Sequence, residues 1–555
     1  MKHRAVNRRS VVIGLGATAG IAATGGIALT AQAENTDGTG SKGASADDSL
    51  TFDQDDYTEK TESIADASGT EHSVTYRFYK ARNYVTNPSD SDHQSLVVSV
   101  PVTIDDKAVD ASNAPIVLAN AVGAYMPSTV ADATGVGQAK LEMTGMGGGM
   151  GGAMPGGSPT GGSMPSGMPS GGTDGGMAGG TGAINGMVNL AKLALAAGYV
   201  VVEPGTRGRS LTDSSGNYYG TAPAVIVDLK AAVRYIRANK GRLPGNVERI
   251  VSTGTSAGGA SSALLGASGD SKIYEPYLRE AGAADASDAV FATGAWCPIT
   301  DLEHADGAYE WNWGTLPTKA TGKTVDQSVS KGLQSQFAEY QAGLNLRGLK
   351  GSGFGKITAR NYDDYLLEHY LWPSATKYLA ALSASERATY LAENTFITWK
   401  NGQAAFTWEG YLAHVAQRKK TQPAFDAFDL SAGENNEFGK GTTKARHFTA
   451  YSAKNDTTGL GGKRVDSDIP EKLKLMNPMF HLLEERNPNR SKHWWIRLGT
   501  SDTDTALTVA ANLAMAVDNL GDDVDHAYYW DKGHATNEDP GDFIKWVAKV
   551  TGYKS

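Results

Sequence analysis

Short apolar runs alternate with segments of helical period along the first half of this chain. Residues 74–79 and 96–100 are rich in β-branched and aromatic side chains and read as strands of an opening hairpin. Pro115-Ile-Val-Leu-Ala-Asn120 has the length of a buried strand and ends in the glycine-containing turn Ala121-Val122-Gly123-Ala124-Tyr125. Residues 187–197 form an amphipathic pattern stopped by Gly198, and Tyr199-Val-Val-Val-Glu203 is the next strand. Over residues 222–240, Val225, Leu229, Ala232, Val233 and Ile236 recur at helical spacing. A strand over 246–253, a helix of small apolar residues over 260–267 and a strand over 289–296 follow. Strands that alternate with helices predict an α/β fold with a mostly parallel sheet flanked by helices.

Beyond Asp301 the strand pattern thins. Residues 301–474 are rich in aromatics, Asp and Asn, with helical patches at 365–370 and 380–393, and read as an inserted lid domain. The sheet pattern resumes at His493-Trp-Trp-Ile-Arg-Leu498, followed by a helix over 506–520, a strand over 526–530 and a closing helix over 542–551. The expected core is therefore in two parts, 49–300 and 475–555. Residues 145–182 interrupt the first part with Gly, Met, Pro and Ser in no helical or strand period. Such a segment cannot offset its ordering entropy and reads as a disordered surface loop. The irregular spacing of its methionines argues against a copper site.

The N-terminal segment carries a different signal. Asn7-Arg8-Arg9-Ser10-Val11-Val12 is a twin-arginine pattern, an apolar Gly/Ala-rich region follows, and Ala31-Gln32-Ala33 offers a cleavage site. Residues 1–33 are expected to be an export signal and 34–48 a flexible leader. The mature protein would be secreted or cell-envelope associated, with no stable membrane insertion after cleavage. Losing Lys2, Arg4, Arg8 and Arg9 takes the net charge from −9 to −13. That charge argues against nucleic acid and anionic membrane surfaces as partners. The single cysteine, Cys297, excludes an intramolecular disulfide, and no Cys/His spacing suggests a structural zinc. No metal or cofactor is expected, and protein partners are not indicated.

Against this frame one turn carries chemistry. Gly254-Thr255-Ser256-Ala257-Gly258 has the G-x-S-x-G form between a strand and a helix, which places Ser256 at a strained apex. A serine hydroxyl needs a base, and the base needs an orienting acid. Both follow in the expected chain order. Asp502 and Asp504 lie in the loop after the strand at 493–498, and His534 lies in a glycine-preceded loop after the strand at 526–530. Asp502, nearer the strand end, is the expected triad acid. Among the other histidines, His3 is in the signal, His72, His93 and His526 are near polar loops or strand starts, and His493 opens a strand. His304, His369, His414, His447 and His481 fall in or beside the insertion. The oxyanion hole would use the N–H of Ala257 with that of Gly123 or Ala124.

Five further stretches stand out: Val122-Gly-Ala-Tyr-Met126, Gly254-Thr-Ser-Ala-Gly-Gly259, Cys297-Pro-Ile-Thr-Asp-Leu-Glu303 with Ala308-Tyr-Glu-Trp311, Pro423-Ala-Phe-Asp426, and Trp495-Ile-Arg-Leu-Gly-Thr-Ser-Asp-Thr-Asp504. Together they resemble the bacterial tannases, α/β-hydrolases related to feruloyl esterases. They span most of residues 74–553. The resemblance implies a serine esterase that cleaves galloyl esters of tannins and alkyl gallates through an acyl-enzyme, a small phenolic ester being the substrate. It also implies that a lysine and a glutamate of the lid, with the second aspartate of the D-x-D turn, hold the gallate hydroxyls. The matching positions are Lys420, Glu434 and Asp504, with Arg418, Lys419 and Glu437 as nearby competitors. The 145–182 segment and the export signal depart from the family pattern. A feruloyl or cinnamoyl esterase, another serine hydrolase such as a peptidase, and a non-catalytic binding protein on the same fold are the alternative expectations.

Overall fold

The alternating pattern folds into a ten-stranded sheet. The computed structural model describes residues 48–143, 188–460 and 462–554. All of these fall in one unit, residues 46–555. The expected export signal, the leader up to residue 47 and the 145–182 segment lie outside the described residues.

Three antiparallel strands begin the sheet: β1 (Thr58–Ala65), β2 (Glu71–Asn83) and β3 (Ser95–Ile104), with the short β4 (Lys107–Ala108) paired to β3. The expected two-stranded hairpin is thus one strand short. β1 was missed because TEKTESIA leaves most of its side chains outside the core, as suits an edge strand. The parallel part comprises β5 (Pro115–Ala119), β6 (Val200–Pro204), β7 (Asn246–Thr255), β8 (Ala292–Trp296), β9 (His493–Gly499) and β10 (Asp523–Tyr529). The spatial order is β1-β2-β3-β6-β5-β7-β8-β9-β10. β3 meets β6 antiparallel, and every later pairing is parallel. The sheet is therefore mostly parallel and flanked by helices, an α/β-hydrolase arrangement.

The central strands are buried along nearly their whole length, which explains why they read as continuous apolar runs. Helix α1 (Leu190–Ala196) links β5 to β6, α2 (Ala224–Ala238) links β6 to β7, and α3 (Ala257–Ala267) links β7 to β8. Helix α2 is buried from Ala224 to Ile236, so its charges need internal partners. Lys230 meets Asp288 at 2.7 Å, and Arg234 meets the same carboxylate at 2.9 Å.

The stretch between β8 and β9 begins with α4 (Leu302–Trp313) and α5 (Gln327–Leu344). It also holds a small hairpin, Thr398–Lys400 with Gln403–Ala405, that the strand-poor pattern did not predict. The expected helix over 380–393 is two helices, Trp372–Ala381 and Ala384–Glu393. Ser383 breaks it with a capping box: its hydroxyl accepts from the Glu386 N–H while the Glu386 carboxylate accepts from the Ser383 N–H. After β9, α6 (Leu507–Asn519) leads to β10, and α7 (Pro540–Thr551) closes the chain.

Candidate active site

Ser256 stands where β7 ends and α3 begins. Its φ of 60° and ψ of −123° are strained for a residue with a Cβ. The flanking glycines are required by close approach. A Cβ on Gly254 would stand 2.5 Å from both the Asn120 side-chain nitrogen and the Gly258 carbonyl oxygen, and one on Gly258 would stand 2.7 Å from the Val122 carbonyl oxygen. The Ser256 N–H donates to the Trp296 carbonyl at 3.0 Å, which fixes the apex against the end of β8.

The base and the acid come from neighbouring strand ends. β9 and β10 pair through Gly499 and Tyr529, and beyond them the loops remain joined. Ser501 N–H donates to the Lys532 carbonyl, and Asp531 N–H donates to the Thr500 hydroxyl, both at 2.9 Å. His534 is thereby held with Nε2 2.8 Å from the Ser256 hydroxyl and Nδ1 2.8 Å from the Asp502 carboxylate. Asp502 is fully buried, and its second oxygen accepts from the Asp504 N–H at 2.9 Å. Burial works against a charged imidazole, but the Asp502 carboxylate outweighs it and holds the His534 pKa well above the ordinary histidine value. Other described histidines are engaged elsewhere; His447, for example, bonds Asp426 and Asp456.

The turn after β5 lies against the first turn of α3, as the Gly258 approach requires. Ala124 and Tyr125 have φ of 50° and 55°, and the Met126 N–H closes the turn on the Gly123 carbonyl at 2.8 Å. Ala257, the first helical residue, has no carbonyl of its own helix to bond with its N–H. The turn that carries Gly123 and Ala124 therefore lies beside the Ala257 end of α3.

Asp504 turns away from the acid position. Its carboxylate pairs with Lys419 at 2.9 Å, so the neighbour taken as a competitor of Lys420 is this aspartate's partner. Burial pushes the Asp504 pKa up, and His534, Lys419 and Lys420 together bring it below the usual value. Lys420 instead meets Glu434 at 2.9 Å and lies 3.8 Å over the Phe425 ring. Both members of that pair keep about a fifth of their side chains exposed. Three groups expected to share one task thus appear in two separate ion pairs.

Comparison with known proteins gives this arrangement a family. A tannin acyl hydrolase in complex with ethyl gallate superposes with a TM-score of 0.72 at 31% identity, over 91% of this chain and 100% of its own. The tannase of Fusobacterium nucleatum gives 0.72 at 32% identity, over 90% and 99%. The native tannin acyl hydrolase from Lactobacillus plantarum gives 0.71 at 31%, over 91% and 100%. The chain belongs to the bacterial tannase family. It is a carboxylic ester hydrolase that acts on phenolic esters. Residues 175–338 also match the BD-FAE model, a feruloyl-esterase-like hydrolase domain. A search among curated proteins gives no match.

The tannase-like motifs prove to be braces around the site. Tyr309 donates to the Thr503 carbonyl at 2.6 Å and accepts from the Lys420 N–H at 3.0 Å, tying the D-x-D turn to the lysine. Glu310 holds the fully buried Arg418 at 2.6 Å, and Arg418 in turn donates to the carbonyls of Lys420 and Thr421. Asp426 accepts from Asn435, His447, Thr449 and the Phe448 N–H, joining the lysine segment to the Glu434 helix. Sequence reasoning missed Asn120. Its amide donates to the Thr253 and Gly258 carbonyls and the Ser262 hydroxyl, while its oxygen accepts from the Val122 N–H. It also missed Arg209, which donates to the Ala124 carbonyl at 2.8 Å. Asn120 stands at the strand end before the glycine turn, and that position was its only sequence signal.

Proposed function

We propose that this chain is an exported serine esterase that cleaves galloyl esters through Ser256, His534 and Asp502. The observation that carries the reading is the unbroken chain of 2.8 Å contacts from the Ser256 hydroxyl through His534 to Asp502. His534 takes the Ser256 proton as the hydroxyl oxygen attacks the ester carbonyl, and Asp502 stabilises the imidazolium that forms. The developing oxyanion receives the Ala257 N–H and one from the Gly123–Ala124 turn, beside the positive end of α3. His534 then gives its proton to the leaving alcohol. Water, deprotonated by the same histidine, releases the acid from the serine.

The 301–474 stretch acts as the lid that recognises the acyl ring. A galloyl ring carries three adjacent hydroxyls. The Glu434 and Asp504 carboxylates accept their O–H groups, and Lys420 donates to a phenolic oxygen. In the free protein Lys420 and Glu434 satisfy each other, so the ring replaces an existing ion pair instead of filling an unpaired site. A ligand without these hydroxyls would break that pair and offer nothing in exchange. The ethyl gallate bound by one tannase relative supports this choice of ring. Export through the twin-arginine route rests on Arg8 and Arg9 in the N-terminal pattern.

The deciding experiment compares methyl gallate, methyl ferulate and methyl benzoate. Gallate is expected to exceed benzoate in kcat/KM by more than ~10³, the consequence of two lost partners at ~1–3 kcal/mol each with added desolvation. A preference for ferulate would favour the feruloyl reading, which the BD-FAE match supports. Failure of a fluorophosphonate to label Ser256 would exclude both and leave a binding protein.

A further inference from the structure

Cys297 is the chain's only cysteine, and the fold sets it against the catalytic corner. It follows Trp296, whose carbonyl accepts from the Ser256 N–H, and its own N–H donates to the Arg497 carbonyl at 2.7 Å. Its side chain is buried. One donor atom each from Cys297, Asp502 and His534 lies within 4.8 Å of the other two.

We propose that Cys297, His534 and Asp502 form an inhibitory site for a soft or borderline divalent cation such as Zn²⁺ or Cd²⁺. A thiolate, an imidazole and a carboxylate make a donor set suited to these ions, whereas Mg²⁺ and Ca²⁺ take oxygen ligands. Tetrahedral zinc with bonds of about 2.0–2.3 Å sets its ligands roughly 3.3–3.7 Å apart, so side-chain movements on the order of 1 Å close the site. The fourth position takes water.

Binding displaces the Cys297 proton to solvent. The ion takes Nδ1, the nitrogen that faces Asp502, and the imidazole keeps its single proton on Nε2, where the lone pair that would take the Ser256 proton is lost. The inhibitory consequence rests on the roles proposed above for Ser256 and His534, while ion binding does not.

The test titrates the full chain with Cd²⁺ alone and follows the ultraviolet cadmium–thiolate charge-transfer band. Because there is one thiol, the band reports this site, and it is expected to saturate at one ion per chain. S256A should retain the band and C297S should lose it. Half-inhibition of wild-type ester hydrolysis by Zn²⁺ should reverse with a chelator and require at least tenfold more Zn²⁺ in C297S; Mg²⁺ should leave the rate unchanged. Should C297S not fold, zinc-edge X-ray absorption of the loaded wild-type protein must show one sulfur at about 2.3 Å with nitrogen or oxygen ligands. A missing thiolate band at stoichiometric Cd²⁺, a band that survives in C297S, or bound zinc without sulfur overturns the site. A saturating band with an unchanged rate overturns the inhibition and counts against His534 as the base, which separates the two failures.

Discussion

At the scale of single residues, Asp502 and Asp504 have the same side chain two positions apart and opposite surroundings. Asp502 is fully buried behind His534, whereas Asp504 faces Lys419 and lies near Lys420. Their asparagine variants should therefore fail differently. D502N is expected to lower kcat on gallate and benzoate esters alike, by roughly 10³–10⁴, because the imidazole loses its tautomer and its counter-charge. D504N should lower kcat/KM on gallate while the slow benzoate rate changes little. A two-substrate comparison checks both, and exchanged behaviours would mean that the triad acid is the other aspartate. S256A and H534A should each lose at least ~10⁴ in kcat with unchanged melting temperature. The pH profile gives an independent reading. Asp502 raises the His534 pKa, and the base works only when neutral, so kcat/KM should fall as pH drops through that raised value. Removing the carboxylate lowers the pKa, so the acid limb measured on D502N should move to lower pH. A limb that stays in place would show that Asp502 does not set the charge of His534.

At the scale of elements, the site is held by polar side chains that join segments distant in sequence. Asn120 joins the turn after β5 to the serine turn. N120A should lower kcat more than it raises KM, because the oxyanion amides lose their fixed spacing while the ring contacts remain. Equal losses in both parameters would sink that role. Asp426 does the corresponding work between the Lys420 segment and the Glu434 helix. D426A leaves several buried donors without an acceptor and is expected to cost ~3–5 kcal/mol in a urea titration. Misfolding of the 420–449 segment should then show in the stability measurement before any kinetic defect. A variant as stable as wild type would show that water replaces the carboxylate.

At the scale of the whole molecule, buried carboxyl groups set how stability responds to pH. Burial pushes both Glu203 and Asp306 up to about 7, with the neighbouring Asp426 adding to the effect on Asp306, and burial also raises Glu437. Groups raised in this way take up protons on folding, so the unfolded state binds fewer protons and stability falls as pH rises. His447 acts in the same direction. Burial opposes its charge, but Asp426 outweighs it and raises its pKa, so its contribution is present below the unfolded value and lost as pH rises through the folded one. His369, His481 and His526, whose pKa burial lowers, act the other way, and where the raised groups outweigh them the melting temperature should be higher near about pH 5 than near about pH 8. Activity should run the other way because the base must be neutral. Thermal scans of S256A across that range check the first statement without turnover, and a higher melting temperature at the alkaline end would refute it. The proposed export belongs to the full chain. Replacing Arg8 and Arg9 by lysine should keep the esterase inside a bacterium with a working twin-arginine route, as assayed by hydrolysis in cell fractions.

The sequence by itself determined the alternation that makes a parallel sheet, the serine turn, and the chain order of Ser256, Asp502 and His534. Those features are local: buried strands need continuous apolar runs, and the Gly254–Gly258 turn works only where a Cβ would collide. The edge strand β1 and the break at Ser383 were harder to read, because an exposed strand and a capped helix start carry weak hydrophobic patterns. Tertiary structure alone decided which charges meet. Lys419 and Lys420 are adjacent and chemically alike, yet one reaches Asp504 and the other Glu434, because Arg418 and Tyr309 fix the backbone between them. It also decided that Cys297 lies beside His534, 237 residues further along the chain. No local pattern encodes such a contact, since it depends on β8, β9 and β10 ending side by side in one sheet.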